Sequence, residues 1–351
     1  MSLQKRLSRD NSCTSPKEEK RMLNNSTILI TGGTGSFGKA FTKYVLKNYS
    51  PKKIIIFSRD EYKQFVMKKE FGEYSSKLRF FIGDVRDKER LNRAFEGVDY
   101  VIHAAAMKHV HACEYNPVEA IKTNIVGAEN VIDVALQKNV KKVVALSTDK
   151  AVNPVNLYGG TKFVSDKLFI AANAYVGERD VCFSVVRYGN VAGSRGSVIP
   201  IFASRLKNKS ECLPITDERM TRFWIEMEQA IKLVITAITY SKGGETFIAK
   251  IPSFKIIDLA EAMMPKGKIE IIGIQAGEKL HEMMITAEDS LNTYEYENCF
   301  IIYPQIKWNS KQMAEPIGKR VPEGFVYTSN NNNDWLSVDE IRERVAKMLE
   351  P

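Results

Sequence analysis

The chain of 351 residues is 44% hydrophobic and 26% charged, the balance of a globular protein too long for one small core. Its formal net charge of +9 is not gathered into one run or stripe, which argues against a nucleic-acid partner and suits a protein that holds several phosphates. No apolar run approaches the roughly 20 residues that span a bilayer and no signal-peptide pattern opens the chain, so no membrane partner and a cytoplasmic location are expected.

The five cysteines (Cys13, Cys113, Cys182, Cys212, Cys299) are scattered and never paired as C-x-x-C, so reduced thiols are expected rather than a disulfide framework or a zinc ribbon. Residues 1–21 hold six basic and three acidic side chains with almost no apolar ones, and read as a disordered leader, native or added.

Beyond it, Ser26 to Ile30 reads as a strand and runs into Thr31-Gly32-Gly33-Thr34-Gly35-Ser36-Phe37-Gly38, which opens a helical pattern from Lys39 to Leu46. Strand, glycine turn and helix N-terminus make a cradle for a pyrophosphate: glycines let the backbone approach it, and the helix end offers its positive pole. This context implies dinucleotide binding. A second strand, Lys53 to Phe57, ends at Ser58-Arg59-Asp60, with Lys63 one turn on. Where an acidic residue would hold the ribose of NAD, the chain has a hydroxyl and a guanidinium, which suit the 2′-phosphate of NADP. The alternative is that Asp60 supplies the acid and Arg59 is solvated.

The third strand, Leu78 to Val85, ends in Asp84-Val85, and a fourth, Val98 to Ala106, ends in Ala104-Ala105-Ala106, past which a flat cofactor can lie close to the backbone. Lys108 to Glu114 carries metal-capable side chains without a frame to complete a site, so no metal is expected. A helical stretch Pro117 to Lys138, a buried strand Val143 to Leu146, a helix around Tyr158 and a strand Val181 to Arg187 continue the alternation. With right-handed crossovers the fold class is α/β, a doubly wound, Rossmann-like parallel sheet. Residues 22–190 are expected to form the dinucleotide-binding domain, and 191–351 mainly a smaller C-terminal substrate-binding lobe with some elements returning to the sheet.

The chemistry gathers after the Val143 strand. Thr148, Asp149 and Lys150 leave its carboxyl edge, where ligands of open parallel sheets bind, and Tyr158 and Lys162 are spaced i, i+4 on one helix face. Alone, a Y-x-x-x-K pair is most often two solvated side chains, so the surrounding motifs decide.

T-G-G-T-G-S-F-G at 31–38, H-A-A-A at 103–106, S-T-D-K at 147–150, Y-x-x-x-K at 158–162 and R-Y-G-N at 187–190 together resemble the extended short-chain dehydrogenase/reductases. F-I-G-D-V-R-D, M-K-H-V, S-T-D-K-A-V-N-P, N-V-A-G-S-R-G-S-V-I-P, I-T-D-E-R-M-T-R-F-W and G-E-K-L-H-E are similar to the UDP-N-acetylglucosamine 4,6-dehydratases. Tyr158 and the lack of a membrane segment are most similar to their inverting branch, which begins pseudaminic acid synthesis. The similarity runs from about Ile28 to Leu336.

This resemblance implies UDP-N-acetylglucosamine as substrate, tightly held NADP as cofactor, and a homo-oligomer with the Pro117 and Tyr158 helices as subunit contacts. Loss of the C6 hydroxyl needs a carbanion at C5, which only a C4 ketone makes accessible, so oxidation comes first. By the resemblance, Tyr158 takes the O4 proton, while Lys162 holds the nicotinamide ribose and lowers the phenol pKa. Lys150, as a neutral amine, abstracts the C5 proton; Asp149 protonates the departing O6; Thr148 hydrogen-bonds the C4 oxygen. The hydride then returns to C6. A retaining dehydratase, or an NADP-linked epimerase or reductase that does not need the Asp149–Lys150 pair, is the alternative.

The resemblance places cofactor contacts at Gly32, Thr34, Gly35, Ser36, Phe37 and Gly38, at Ser58, Arg59, Asp60 and Lys63, and at Asp84, Val85, Ala104, Ala105, Ala106, Tyr158, Lys162 and Val191. It places substrate contacts at Lys108, Asn190, the loop Arg195-Gly196-Ser197-Val198-Ile199-Pro200, Arg222 and Glu278, with arginines suiting a diphosphate. For Arg222 the alternative is a structural ion pair. Gln275 stands where relatives commonly carry arginine, and His111 where proline is usual.

Overall fold

Short apolar runs rich in β-branched residues become the strands, and the amphipathic stretches between them become helices. The computed structural model describes residues 16–194, 197–208, 212–307 and 316–349. Its first six strands are β1 (Thr27–Thr31), β2 (Lys53–Ser58), β3 (Leu78–Ile82), β4 (Tyr100–His103), β5 (Lys142–Leu146) and β6 (Cys182–Arg187). After them come β7 (Cys212–Ile215), β8 (Thr221–Phe223), β9 (Thr246–Ala249), β10 (Ser253–Lys255), β11 (Lys268–Ile271) and β12 (Met283–Ile285). The last four are β13 (Thr293–Glu295), β14 (Cys299–Ile302), β15 (Lys319–Arg320) and β16 (Tyr327–Thr328).

Ten strands form one sheet in the order β15-β13-β14-β9-β6-β5-β4-β1-β2-β3. From β3 to β9 all pairings are parallel, and β14, β13 and β15 add an antiparallel edge. Chain direction across the sheet reverses between β1 and β4, and the crevice beyond their carboxyl ends is the ligand position of a doubly wound sheet.

Strand alternation divides the core between the two faces. Ile28, Ile30, Ile54 and Ile56 pack with Phe41 and Val45 of the helix Ser36–Asn48 and with Ile231 and Val234 of the helix Met227–Tyr240. Leu29, Ile55, Val101 and Val143 face the other way, onto Val131 and Val134 of the helix Gly127–Gln137 and Phe169 of the helix Leu157–Ala171. A third cluster, including Ile199, Phe202, Leu213, Trp224, Phe254 and Ile341, joins the helices Val198–Lys207, Ile256–Met263 and Val338–Leu349 to the β7–β11 and β8–β10 pairs.

Two expectations change. Residues 16–21, assigned to a disordered leader, belong to a helix Pro16–Leu23 whose Leu23 is fully buried. Its acidic face is held by distant phenols: Tyr240 donates to Glu18 at 2.9 Å and Tyr49 to Glu19 at 2.7 Å. Residues 1–15 lie outside the described part. The stretch read as one helix from Pro117 to Lys138 is helical at Pro117–Ile121 and Gly127–Gln137, with a π turn at Lys122–Val126 between them. Among the described residues no helix is long and apolar enough to cross a membrane.

Candidate active site

The glycine loop between β1 and the helix Ser36–Asn48 is shaped for close approach. Gly32 has φ +66°, and a Cβ there would come within 2.9 Å of Ala105 N and 3.0 Å of Ala104 C, so the loops after β1 and β4 touch where the sheet reverses. A Cβ on Gly38 would strike the backbone of Gly33. These are the conditions under which a backbone can wrap a pyrophosphate, and the donor-rich helix start fits that group.

A cleft of about 640 Å³ opens from this loop across the sheet edge. Gly32, Thr34, Gly35, Ser36, Phe37, Gly38, Ser58, Arg59, Asp60, Lys63, Asp84, Val85, Ala104, Ala105, Ala106, Tyr158, Lys162 and Val191 all line it. At its far end Ser58 is buried and accepts from Gln64 Nε2 at 3.0 Å. The Arg59 side chain is 59% exposed and stands 3.7 Å from Asp84 Oδ2. Asp60 caps the helix Glu61–Glu70, accepting from Lys63 N at 2.9 Å, and pairs with Lys63 Nζ at 2.8 Å.

A second cavity, of about 730 Å³, lies on the C-terminal side, lined by Lys108, Lys150, Asn190, Ser197, Val198, Ile199, Arg222, Glu278, Lys279 and Glu282 among others. Pro200, in the first turn of the helix Val198–Lys207, does not line it, and Arg195 and Gly196 lie outside the described residues. Thr148, Tyr158 and Asn190, together with Lys108, His109, Ala112, Val191 and Ser194, line both cavities and form their common wall.

Backbone architecture sets that wall. Asn156 caps the helix Leu157–Ala171 by accepting from Gly159 N at 2.8 Å, and its amide donates to Gly277 O at 2.7 Å. Lys279 donates to Val152 O, so the 275–279 loop is tied at two points to the segment that carries Lys150. On the other side the π turn presents Asn124, which accepts from Met107 N at 2.8 Å and donates to Met107 O and Thr161 Oγ1, both at 2.9 Å. One amide thus fixes the segment after β4 against the helix of Tyr158.

Asp149 is 1% exposed and does not itself line either cavity. Its Oδ1 accepts from Thr148 Oγ1 at 2.9 Å and from Lys150 Nζ at 3.1 Å. Lys150 also donates to Asn190 Oδ1 at 3.2 Å and stands 3.3 Å from Glu282 Oε1. Burial works against the Lys150 charge, but Asp149 and Glu282 outweigh it and hold the ammonium above its ordinary pKa. Two buried acidic side chains beside Lys150 thus favour its ammonium form, against the neutral amine that the elimination step requires. Burial, reinforced by Glu282, pushes the Asp149 carboxyl up against the pull of Lys150.

Burial also pushes the Tyr158 phenol up to about 12, with Lys150 the chief charge opposing it. The cation expected to act on this phenol, Lys162, is buried, lowered by that burial, and drawn back by Asp166. Asp166 in turn accepts from Ser147 Oγ at 2.5 Å and lies 3.9 Å from Arg187. Arg222 is pinned by donation to Thr221 O at 2.8 Å and Leu280 O at 3.1 Å, with Nε 3.8 Å from Glu282. Gln275 does not line the substrate-side cavity; its backbone N–H donates to Glu278 Oε2 at 3.1 Å.

Glu282 is the site residue that the sequence reading missed. It ends the G-E-K-L-H-E motif, but a motif on a distant segment carries no sign that its last carboxylate is buried against Lys150.

Comparison with known proteins gives the family of the chain. The family described as polysaccharide biosynthesis protein matches residues 28–304. A UDP-N-acetylglucosamine 4,6-dehydratase (inverting) of Campylobacter jejuni subsp. jejuni (strain 81-176) is 57% identical over 326 residues, 91% of this chain and 97% of the relative. A UDP-glucose 4-epimerase of Rickettsia bellii (strain RML369-C) is 45% identical over 93% of this chain and 97% of its own. The X-ray structure of Pen from Bacillus thuringiensis superposes with a TM-score of 0.83 at 40% identity, covering 93% of this chain and 99% of that one. The chain belongs to the polysaccharide biosynthesis protein family.

Proposed function

We propose that the protein is a UDP-N-acetylglucosamine 4,6-dehydratase that inverts C5, is a cytoplasmic homo-oligomer using NADP, and performs the first step toward pseudaminic acid. The observation that carries this reading is the common wall of the two cavities, where Thr148 and Tyr158 face both sides, with Lys150 lining the substrate side and Asp149 buried behind it. Similarity to the Campylobacter dehydratase supports the substrate. For NADP, the support is that Asp60 is engaged in capping and in pairing with Lys63, which leaves Ser58 and Arg59 to meet a 2′-phosphate. For an oligomer, the support is exposed apolar side chains on adjoining helices, among them Tyr115, Val118, Phe163 and Val164.

The glycine loop and the residues lining the first cavity would hold a nicotinamide dinucleotide, which would supply the hydride acceptor for C4 and the hydride donor for C6. Tyr158 takes the O4 proton, which its high resting pKa permits only with cations close by, and Lys150 is one of them. Thr148 hydrogen-bonds the C4 oxygen. The resting pair of Asp149 carboxylate and Lys150 ammonium holds as many protons as the acid and amine that elimination needs. One proton shift along the 3.1 Å hydrogen bond from Lys150 Nζ to Asp149 Oδ1 creates the reactive form. Lys150 then removes the C5 proton and Asp149 protonates the departing O6; as hydride adds to C6 of the enone, a proton from Lys150 or water returns to C5. Lys108, Asn190, Ser197, Val198, Ile199, Arg222 and Glu278 hold the nucleotide sugar, as Arg195 and Gly196 do by family resemblance.

Turnover of UDP-N-acetylglucosamine in D₂O, followed by NMR, tests this. The expected first product is a 4-keto-6-deoxy sugar nucleotide of L-arabino configuration with deuterium at C5. A D-xylo first product would make the enzyme a retaining dehydratase. A C4 epimer that keeps its C6 hydroxyl would make it an epimerase, the activity named for the Rickettsia relative.

A further inference from the structure

Lys150 has three N–H bonds and three oxygen neighbours: Asp149 Oδ1 at 3.1 Å, Asn190 Oδ1 at 3.2 Å and Glu282 Oε1 at 3.3 Å. Two of these belong to residues, Asp149 and Asn190, already assigned a part in the reaction. The third, Glu282, is 2% exposed, lines the substrate-side cavity, and has one oxygen, Oε2, with no hydrogen-bond partner among the described residues. A carboxylate buried at that depth is costly unless a specific charge arrangement uses it.

We propose that Glu282 is a positioning residue of the elimination step, whose carboxylate fixes Lys150 between itself and Asp149 and supplies the buried negative charge that sets how many protons the Asp149–Lys150 pair holds. The inference rests on the dehydratase reading. The charged groups that face Glu282 are Lys150, Arg222 and Lys279, and Asp149 acts on it across Lys150. An anion here favours the protonated form of both members of the pair. Removing it therefore lowers both macroscopic pKa values, one on each side of the active range.

The test is the pH profile of single-turnover elimination in full-length, cofactor-loaded protein. Glu282→Gln keeps size and hydrogen-bonding capacity but removes the charge, and the ascending limb set by Asp149 should move to lower pH by about 1 unit or more, with the descending limb, which lies past pH 10 in the wild type, moving down as well. Glu282→Asp keeps the charge and should leave the limbs near their wild-type positions even if its rate is lower. A residue with only a structural role would lower the rate at every pH and leave the limbs in place in both variants. Limbs unmoved in Glu282→Gln, or moved as far in Glu282→Asp as full charge removal predicts, overturn the assignment, and each variant decides alone. Wild-type protein that forms no 6-deoxy product overturns the dehydratase reading and this inference with it; wild-type turnover with immovable limbs overturns the role of Glu282 alone.

Discussion

A Cβ placed on Gly159 would collide with the carbonyl oxygen of Lys150. The helix that carries Tyr158 can approach the Thr148–Lys150 segment only because its third residue has no side chain. Gly160, its neighbour, faces open space, with nothing within 4 Å of an added Cβ. The two glycines should therefore respond in opposite ways. Gly159→Ala should displace the Lys150 segment, cost about 1–3 kcal/mol of stability as other overpacked substitutions do, and lower turnover at least tenfold. Gly160→Ala should be neutral or gain up to about 1 kcal/mol, the helix-propensity difference. Melting temperature and turnover of both variants check this; equal effects would mean that the backbone contact does not hold the segment.

Tyr158→Phe should stop the reaction before any redox change, because a phenyl ring cannot accept the O4 proton. A loss of about 10²–10⁴-fold is expected for removal of a positioned acid–base group. Stopped-flow absorbance of reduced nicotinamide reports it directly. A transient at wild-type rate would remove Tyr158 from the oxidation.

Much of this site was legible in the sequence because a buried parallel strand reads as an apolar run and ligands gather at its end. Val143 to Leu146 placed Thr148 at the crevice with Asp149 and Lys150 directly after it, and T-G-G-T-G-S-F-G placed the cradle at the first strand-helix junction. The protonation state of Lys150 was not legible, since it depends on Glu282, more than a hundred residues away in the chain and beside it only after folding. The helix Pro16–Leu23 was missed for a similar reason: its anchors are Leu23 at its very end and phenols of Tyr49 and Tyr240 that local composition cannot foresee. Strands of three or four residues, such as β13 and β14, carry too little periodicity to announce the antiparallel edge.

Lys150→Ala and Asp149→Asn should each stall the cycle after oxidation. Neither residue accepts the O4 proton, so the C4 ketone still forms, more slowly in Lys150→Ala because the phenol loses its chief opposing cation, but elimination loses its base or its acid. Reduced nicotinamide and a 4-keto sugar that retains its C6 hydroxyl should accumulate on the protein, with net turnover down by about 10²–10⁴-fold. Mass spectrometry of the quenched complex identifies the trapped sugar. A 6-deoxy product formed by either variant at near-normal rate would require a different acid–base pair.

Arg59→Ala should narrow the preference for NADP over NAD. The guanidinium is mostly exposed and its neighbour Asp84 is 3.7 Å away, so the side chain is available to a 2′-phosphate. Loss of a hydrogen bond to a charged group costs about 1.5–3 kcal/mol, and this should appear in NADP binding and not in NAD binding. Calorimetry with both dinucleotides separates the cases; equal weakening would mean that Arg59 has no specific part in selecting the cofactor.

The wild-type pH dependence of elimination follows from the two shifts at the centre of the site. Asp149 is raised by burial and by Glu282, and Lys150 is held above its ordinary value by the two carboxylates that outweigh its burial. The reactive form, acid plus amine, carries the same number of protons as carboxylate plus ammonium. Below the raised pKa of Asp149 both groups are protonated, and the reactive fraction grows tenfold per pH unit. Between the two pKa values it is constant, since acid and amine gain and lose population together. Above the pKa of Lys150 both groups are deprotonated and the rate falls. The single-turnover rate should therefore climb through a limb lying above the usual carboxylate range and then stay flat past pH 10, with no descending limb near neutrality. A descending limb between pH 7 and 9 would show that the amine, and not the ammonium, is the resting state of Lys150, and that the two carboxylates do not hold its proton.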